Sequence, residues 1–290
     1  MQIPGLHGLG PVTLIRKAVE AFLDDDMTMY ASALAYQIIF SIFPFVIFLI
    51  ALLGFLHRPD FFDWLLAQAT AIFPEQGMEQ VRRIIQQLQQ PQGGLLSFGV
   101  VLALWTASSG TRAAMNALNV AYNVKEGRPL WKRYSLSIIY TIGIAGMLII
   151  ATVLLLIGPR AIAWLADQVG LEQLFVLLWT WLRFPVVLIL LALAVAVIYY
   201  VAPDIKQEFR FFSPGAVLAV LAWIGASLAF DYYVNAFANY NAMYGSIGTI
   251  IVLLLYFFLS AAMLLFGAEV NAVIDQHAQE EVKHNLSTTA

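Results

Sequence analysis

Charge is scarce in this chain: Asp, Glu, Lys and Arg make up 11% of its 290 residues, while apolar residues reach 61%. Soluble domains carry roughly 25% charged residues, and so few here cannot cover a water-facing surface. Cysteine is absent, which excludes disulfides and thiolate metal sites and leaves the redox compartment unread. A basic excess is missing too, since the formal net charge is -3, and nucleic acid is not an expected partner. No GxxxxGKS/T phosphate loop occurs, so the chain is not expected to hydrolyse nucleotides. The histidines, His7, His57, His277 and His284, fall in separate loops and tails without acidic ligand spacing. Neither a metal site nor a histidine-activated serine follows from them. No cofactor and no enzymatic activity are expected.

What is present is long apolar sequence. A membrane-crossing helix needs about 20 mostly apolar residues, and six stretches qualify: Met29 to Leu56, Leu95 to Tyr122, Tyr134 to Ile157, Phe175 to Ala202, Pro214 to Phe237 and Ile247 to Ile274. The fold class is therefore all-α, a polytopic membrane protein with six transmembrane helices plus amphipathic interfacial helices. The expected organisation is an amphipathic segment 1–28, a transmembrane domain 29–274 and a tail 275–290. The first apolar run follows an acidic stretch with no small-residue cleavage pattern, so no cleaved signal peptide is expected.

Loop charges orient the bundle. Nine basic residues (Arg16, Lys17, Lys125, Arg128, Lys132, Arg133, Lys206, Arg210 and Lys283) fall on the side of the termini, against four (Arg58, Arg82, Arg83 and Arg160) on the other. Positive charge stays inside, so both termini are expected in the cytoplasm. Near the start, Leu14, Ile15, Ala18, Val19 and Phe22 recur at helical spacing opposite Arg16, Lys17 and Glu20, which suits a helix lying on the inner membrane surface. Asp24, Asp25 and Asp26 then precede the first span, where carboxylates favour a helix N-terminus. In the external loop, two apolar stripes, Phe61 to Ile72 and Val81 to Leu88, are separated by Phe73-Pro74. They predict a helical hairpin over 59–92, either a plain surface pair or a lid over a central cavity.

Charges within a bilayer cost at least about 2.5 to 3.5 kcal/mol each, so four positions call for partners. Counted along the helices at 1.5 Å per residue, Arg112 and Glu269 fall near the inner face, and Arg183 and Asp231 in the outer half. Depth pairs Arg112 with Glu269 and Arg183 with Asp231. They are either structural ion pairs or the lining of a polar cavity. Pro44, with Tyr36 and Ser41 in YQIIFSIFP, removes a backbone hydrogen bond and is expected to kink the first span. The polar inner half of the second span, with Ser108, Ser109, Gly110, Asn116 and Asn119, must face the bundle or water. The uncharged run Asn235 to Gly248 reads either as a lining loop or as a tight external connection.

Several segments carry a resemblance to a known family. ALAYQIIFSIFPF, LWTASSGTRAAMNALNVAYNVKEGR, YYVAPD and the long block FFSPGAVLAVLAWIGASLAFDYYVNAFANYNAMYGSIGTIIVLLLYFFLSAAMLLFGAEVNAVI resemble the YihY/BrkB family of bacterial inner-membrane proteins. The resemblance runs from about Lys17 to Ile274. Asp204 departs from it, standing where the family often has Asn. The resemblance implies six-helix proteins of the bacterial inner membrane with a virulence association and a former ribonuclease label. It also implies a role in moving lipids or envelope precursors, and it supplies no catalytic residue to carry over. The expected function is thus a membrane transporter, a lipid or envelope-precursor flippase or exporter, with the lipid bilayer and a lipid or small molecule as partners. The alternative is a non-transporting scaffold or assembly factor in envelope biogenesis. Substrate, coupling ion and oligomeric state are not legible in the residues.

Overall fold

The computed structural model describes residues 10–55, 93–156, 172–205, 213–236 and 240–289. The expected hairpin at 59–92 lies outside the described residues. Within them every regular element is a helix: α1 Pro11–Asp24, α2 Met27–Phe55, α3 Gly93–Ala121, α4 Leu130–Leu156, α5 Glu172–Val201, α6 Pro214–Ala236 and α7 Tyr240–Thr289. Five of them hold segments long and apolar enough to cross a membrane, namely Met27–Phe48, Leu130–Ala151, Phe184–Val201, Pro214–Val234 and Ile250–Glu280. The sixth expected span forms α3, 29 residues long, and is not among the five segments that meet this measure among the described residues. Between 11% and 22% of each crossing segment is buried within the protein, so most of each apolar surface faces outward. Phe43, Trp181, Leu221 and Leu228 are among the large side chains left bare, a surface suited to lipid and not to water.

Local chemistry accounts for the helix ends. Pro11 opens α1, where a missing N–H costs nothing. α1 stops at a turn in which Asp25 N–H donates to Ala21 O at 2.9 Å and Asp26 adopts φ 52°, a conformation Asp tolerates better than most residues. Ser213 caps α6 by accepting from Ala216 N–H at 3.1 Å, with Pro214 in the first position. Pro44 is buried inside α2 and Pro185 lies inside α5. α7 runs unbroken through the expected boundary at 274, because the polar stretch Asp275 to Leu286 holds no Gly or Pro to end it.

The chain divides into two units, Met1–Tyr36 with Thr111–Ala290, and Gln37–Gly110. The core of the first is built mostly from small side chains, including Ala31, Ala117, Ala121, Ala196, Ala216, Ala219 and Ala268, around Met27, Met115, Leu118 and Leu265. Small residues let helices approach closely where lipid supplies no hydrophobic drive for association. The extreme case is the α6–α7 crossing: a Cβ at Gly215 would collide with the Gly267 carbonyl oxygen, and one at Gly267 with that of Gly215. In the second unit Gly99 packs on Phe48, and Gly110 on Gln37. There Ser109 donates to Gln37 Oε1 at 2.6 Å.

Candidate functional site

Polar side chains in a membrane helix must find partners nearby, and the hydroxyls of α3 and α4 find them on their own backbone. Thr106 donates to Leu102 O at 2.9 Å, Ser108 to Trp105 O at 2.9 Å and Thr141 to Ser137 O at 2.7 Å. Such back-bonding keeps a hydroxyl satisfied without a solvent-filled cavity. In α2, Ser41 likewise donates to Ile38 O at 2.8 Å, while Tyr36 is largely exposed. Within the first unit α3 and α4 are zipped by the Thr111 and Thr141 hydroxyls, 2.6 Å apart. Arg112 donates to Ser137 Oγ at 3.1 Å and lies 4.4 Å over the Tyr134 ring, so its charge is held by a hydroxyl and an aromatic face.

A denser polar cluster stands where α3 ends and α4 begins. Asn123 takes φ 53° and its N–H donates to Val120 O at 2.8 Å, a helix end that suits Asn. The turn presents Glu126, which accepts from Arg128 Nε at 2.7 Å and Nη2 at 2.9 Å and from Asn119 Nδ2 at 3.0 Å. Arg128 also donates to Ala202 O at 2.8 Å and stands 3.7 Å from Asp204 Oδ1. Asp204 closes the circle: its N–H donates to Asn119 Oδ1 at 2.7 Å, and its Oδ2 accepts from Gly127 N–H at 2.9 Å. Arg133 donates to Asn116 Oδ1 and stands 3.7 Å from Glu126 Oε2. The Arg128 hydrogen bonds hold the Glu126 carboxyl below its usual range, and Glu126 in turn raises Arg128. The cluster ties the turn at 122–129 to the segment that follows α5.

The opposite situation arises on α7. Glu269 is 1% exposed, and its Oε1 has no hydrogen-bond partner among the described residues. Two residues on, Asn271 is fully engaged: its Oδ1 accepts from Gly215 N–H at 2.8 Å and its Nδ2 donates to Ser213 Oγ at 2.7 Å. α1 packs along the same stretch, with Leu14 and Ala18 against Val270, Val273 and Ile274, and the Phe22 and Phe266 rings meet edge-on at 6.2 Å. Asp25, at the end of α1, is near enough to Glu269 for the two carboxyls to repel one another. Burial, with the charges of Asp24 and Asp26, raises the Asp25 carboxyl above its usual range. Beyond the packed stretch α1 and α7 flank a groove of about 240 Å³ lined by Lys17, Glu20, Asp24, Gln276, His277 and Glu280.

The residues singled out in the sequence thus fall in different settings. Arg112, with Ser137, belongs to the α3–α4 seam, and Asn116 and Asn119 to the cluster at its end. Glu269 is buried on α7, and no ion pair joins it to Arg112 among the described residues. Asp231 is exposed on α6, and the Arg183 side chain lies outside the described residues. Residues 240–248 of the uncharged run form the first turns of α7. Glu126, Arg128, Asp204, Ser213 and Asn271 were not expected as a polar framework. Ser213-Pro214 carried a readable helix-start signal, whereas the contact between Arg128 and Asp204 bridges loops far apart in sequence. Among the described residues no group of three or more His, Asp or Glu is placed to hold a metal ion.

Comparison with known proteins identifies membrane-protein relatives. Residues 18–290 match the family described as virulence factor BrkB. A Bacillus subtilis protein named as ribonuclease-like, YfkH, is 39% identical over 245 residues, covering 84% of this chain and 88% of its own length. A UPF0761 membrane protein of Chromohalobacter salexigens is 27% identical over 280 residues, 93% of this chain and 65% of that protein. Another, from Nitrosospira multiformis, is 25% identical over 272 residues, 92% of this chain and 62% of that protein. The chain therefore spans just under two thirds of the length of these last two relatives. No solved structure matches.

Proposed function

The chain belongs to the virulence factor BrkB family of membrane proteins, and on that premise we propose that it is a transporter of the bacterial inner membrane, a flippase or exporter of lipids or envelope precursors, with both termini in the cytoplasm. One observation carries this reading: Glu269 is buried in a membrane-crossing helix with an oxygen that accepts no hydrogen bond among the described residues. An ionisable group at such a place is costly, and retaining one with an oxygen unanswered among the described residues points to a task. A pure scaffold gains nothing from it. Arg112 and Glu269 in the inner half, and Arg183 and Asp231 in the outer half, are the charges we assign to the transport path. For the outer pair, a double-mutant cycle with Arg183→Asp and Asp231→Arg tests the assignment, and additive effects would remove it.

Reconstitution tests the function. Purified protein in liposomes, with a fluorescent phospholipid quenched by an impermeant reductant, should move lipid between leaflets faster than protein-free vesicles. Glu269→Gln should slow this by about tenfold or more, the effect of losing about 1.4 kcal/mol of barrier stabilisation. If neither phospholipids nor small solutes cross, the transporter reading fails and the scaffold reading takes its place.

A further inference from the structure

α1 carries more apolar surface than its packing uses. The sequence offers one stripe, Leu14, Ile15, Ala18, Val19 and Phe22, but the folded chain splits it. Leu14 and Ala18 close on α7, while Val12, Ile15, Val19 and Leu23 remain 82%, 39%, 44% and 62% exposed. Those four recur at spacings of three and four, so they form a second stripe along one side of the helix. Thr13, Arg16, Lys17, Glu20 and Asp24 occupy the remaining side, where Arg16 Nε donates to Glu20 Oε1 at 3.0 Å.

The position of α1 identifies what covers this second stripe. Asp25 and Asp26 alone separate α1 from α2, and α2 exposes an apolar side chain within its first turn, Met29 at 69%, on the side away from buried Met27. That surface crosses a membrane, so α1 ends within a turn of the bilayer. A helix there, apolar on one side and charged on the other, is stable with its apolar side ~5 to 10 Å into the boundary between headgroups and acyl chains. The stripe is thus continuous with a lipid-facing surface, and its occupant is the bilayer.

We propose that α1 is a membrane-held cover: the bilayer seats the stripe Val12, Ile15, Val19 and Leu23, and so seated α1 stays closed over the stretch of α7 that contains Glu269. Its inner face already packs on Phe266, Val270, Val273 and Ile274, the residues that bracket Glu269 along α7. Access to Glu269 from the α1 side then depends on whether α1 remains on the membrane. Neither test below depends on transport, so this inference and the transporter reading can fail separately.

The absence of cysteine lets single cysteines be introduced without background. Nitroxide labels at Val12→Cys, Val19→Cys and Leu23→Cys, in full-length protein in phospholipid nanodiscs, should collide with oxygen more than with a water-soluble nickel chelate. Labels at Thr13→Cys, Lys17→Cys and Glu20→Cys should show the reverse. Equal nickel access at both sets would put the stripe in water and overturn the proposal. Protection from both reagents with spin-spin broadening would place a second copy on it and overturn it equally. The cover is read at Glu269→Cys with an impermeant maleimide applied to the α1 side of vesicles. Labelling should be slow, and should quicken about tenfold when Val19→Glu is added, because a carboxylate resists leaving water for the acyl boundary. Val19 is half exposed, so Val19→Leu serves as the control for a well-folded chain and should leave the slow rate unchanged. Rapid labelling without Val19→Glu, or the same slow rate with it, would show that the membrane does not hold a cover.

Discussion

The two polar places of the first unit treat charge in opposite ways. Where α3 ends, Glu126 accepts from Arg128 and Asn119, and Asn119 in turn accepts from Asp204 N–H beyond α5. On α7 a carboxyl is 1% exposed and one of its oxygens is left unanswered among the described residues. The first arrangement is what a structure needs in order to join two distant loops. The second is what a structure avoids unless something else requires it. Stability and function are therefore expected to separate between the two places, and substitutions measure the separation.

The largest loss of stability is expected at the satisfied cluster. Arg128 keeps 8% of its side chain exposed, and Arg128→Ala would take from Glu126 two hydrogen bonds and from Asp204 its neighbouring cation, leaving Arg133 as the cation near Glu126. The carboxylates are partly exposed, 18% for Glu126 and 30% for Asp204, so losing the charged hydrogen bonds should cost about 1.5 to 3 kcal/mol, which should appear as a clear drop in the melting temperature of the detergent-solubilised protein. A change near zero would mean that water replaces the guanidinium, and the cluster would lose its structural standing. Asn119→Ala comes next: it strips partners from Glu126 and from the Asp204 N–H, at about 1 to 3 kcal/mol for a buried group left unsatisfied. Arg128→Ala and Asn119→Ala should not add, because both act on Glu126.

Acid probes the same cluster without mutation. The Glu126 carboxyl lies below its ordinary value of 4.5 in the folded chain. Its contribution is therefore complete above that value and is lost as pH falls through the lower folded one. Melting temperature should fall at acid pH, and the Glu126→Gln variant should lose that part of the pH dependence. An unchanged profile in Glu126→Gln would assign the acid sensitivity elsewhere.

How much of this was legible follows from what each signal measures. Hydropathy reports where lipid can solvate the chain, so Met29 to Leu56 and Pro214 to Phe237 agree closely with α2 and α6. It is silent on where a backbone helix ends, so α7 overruns Ile274 by fifteen residues to Thr289. Polarity marked the later half of α3, yet Ser108 and Thr106 donate to carbonyls of their own helix, a local bond that composition does not reveal. Depth counting placed Arg112 near the inner face but did not give its azimuth around the helix, and azimuth selects Ser137 and Tyr134 as neighbours. The α1 stripe was visible as apolar spacing, while its division between protein and bare surface needed the position of α7. Arg128 and Asp204 left no trace, since each looks like an ordinary loop charge until the ends of α3 and α5 are brought together.

The smallest effect on stability is expected where the functional effect is largest. Glu269→Gln keeps the volume of the side chain and removes its capacity to carry a charge at a position only 1% exposed. A buried carboxylate without a full set of partners is unfavourable, so the amide should fold at least as well, with a melting temperature equal to or above that of the parent. Measured beside the liposome assay, this gives a test with two readings. Retained stability with lost lipid movement assigns Glu269 to the transport path and completes the contrast with Arg128, whose removal should lower both together. Lost stability in Glu269→Gln would show that the carboxylate is a structural acceptor after all, its partner supplied by residues outside the described set, and the contrast between the two places would collapse.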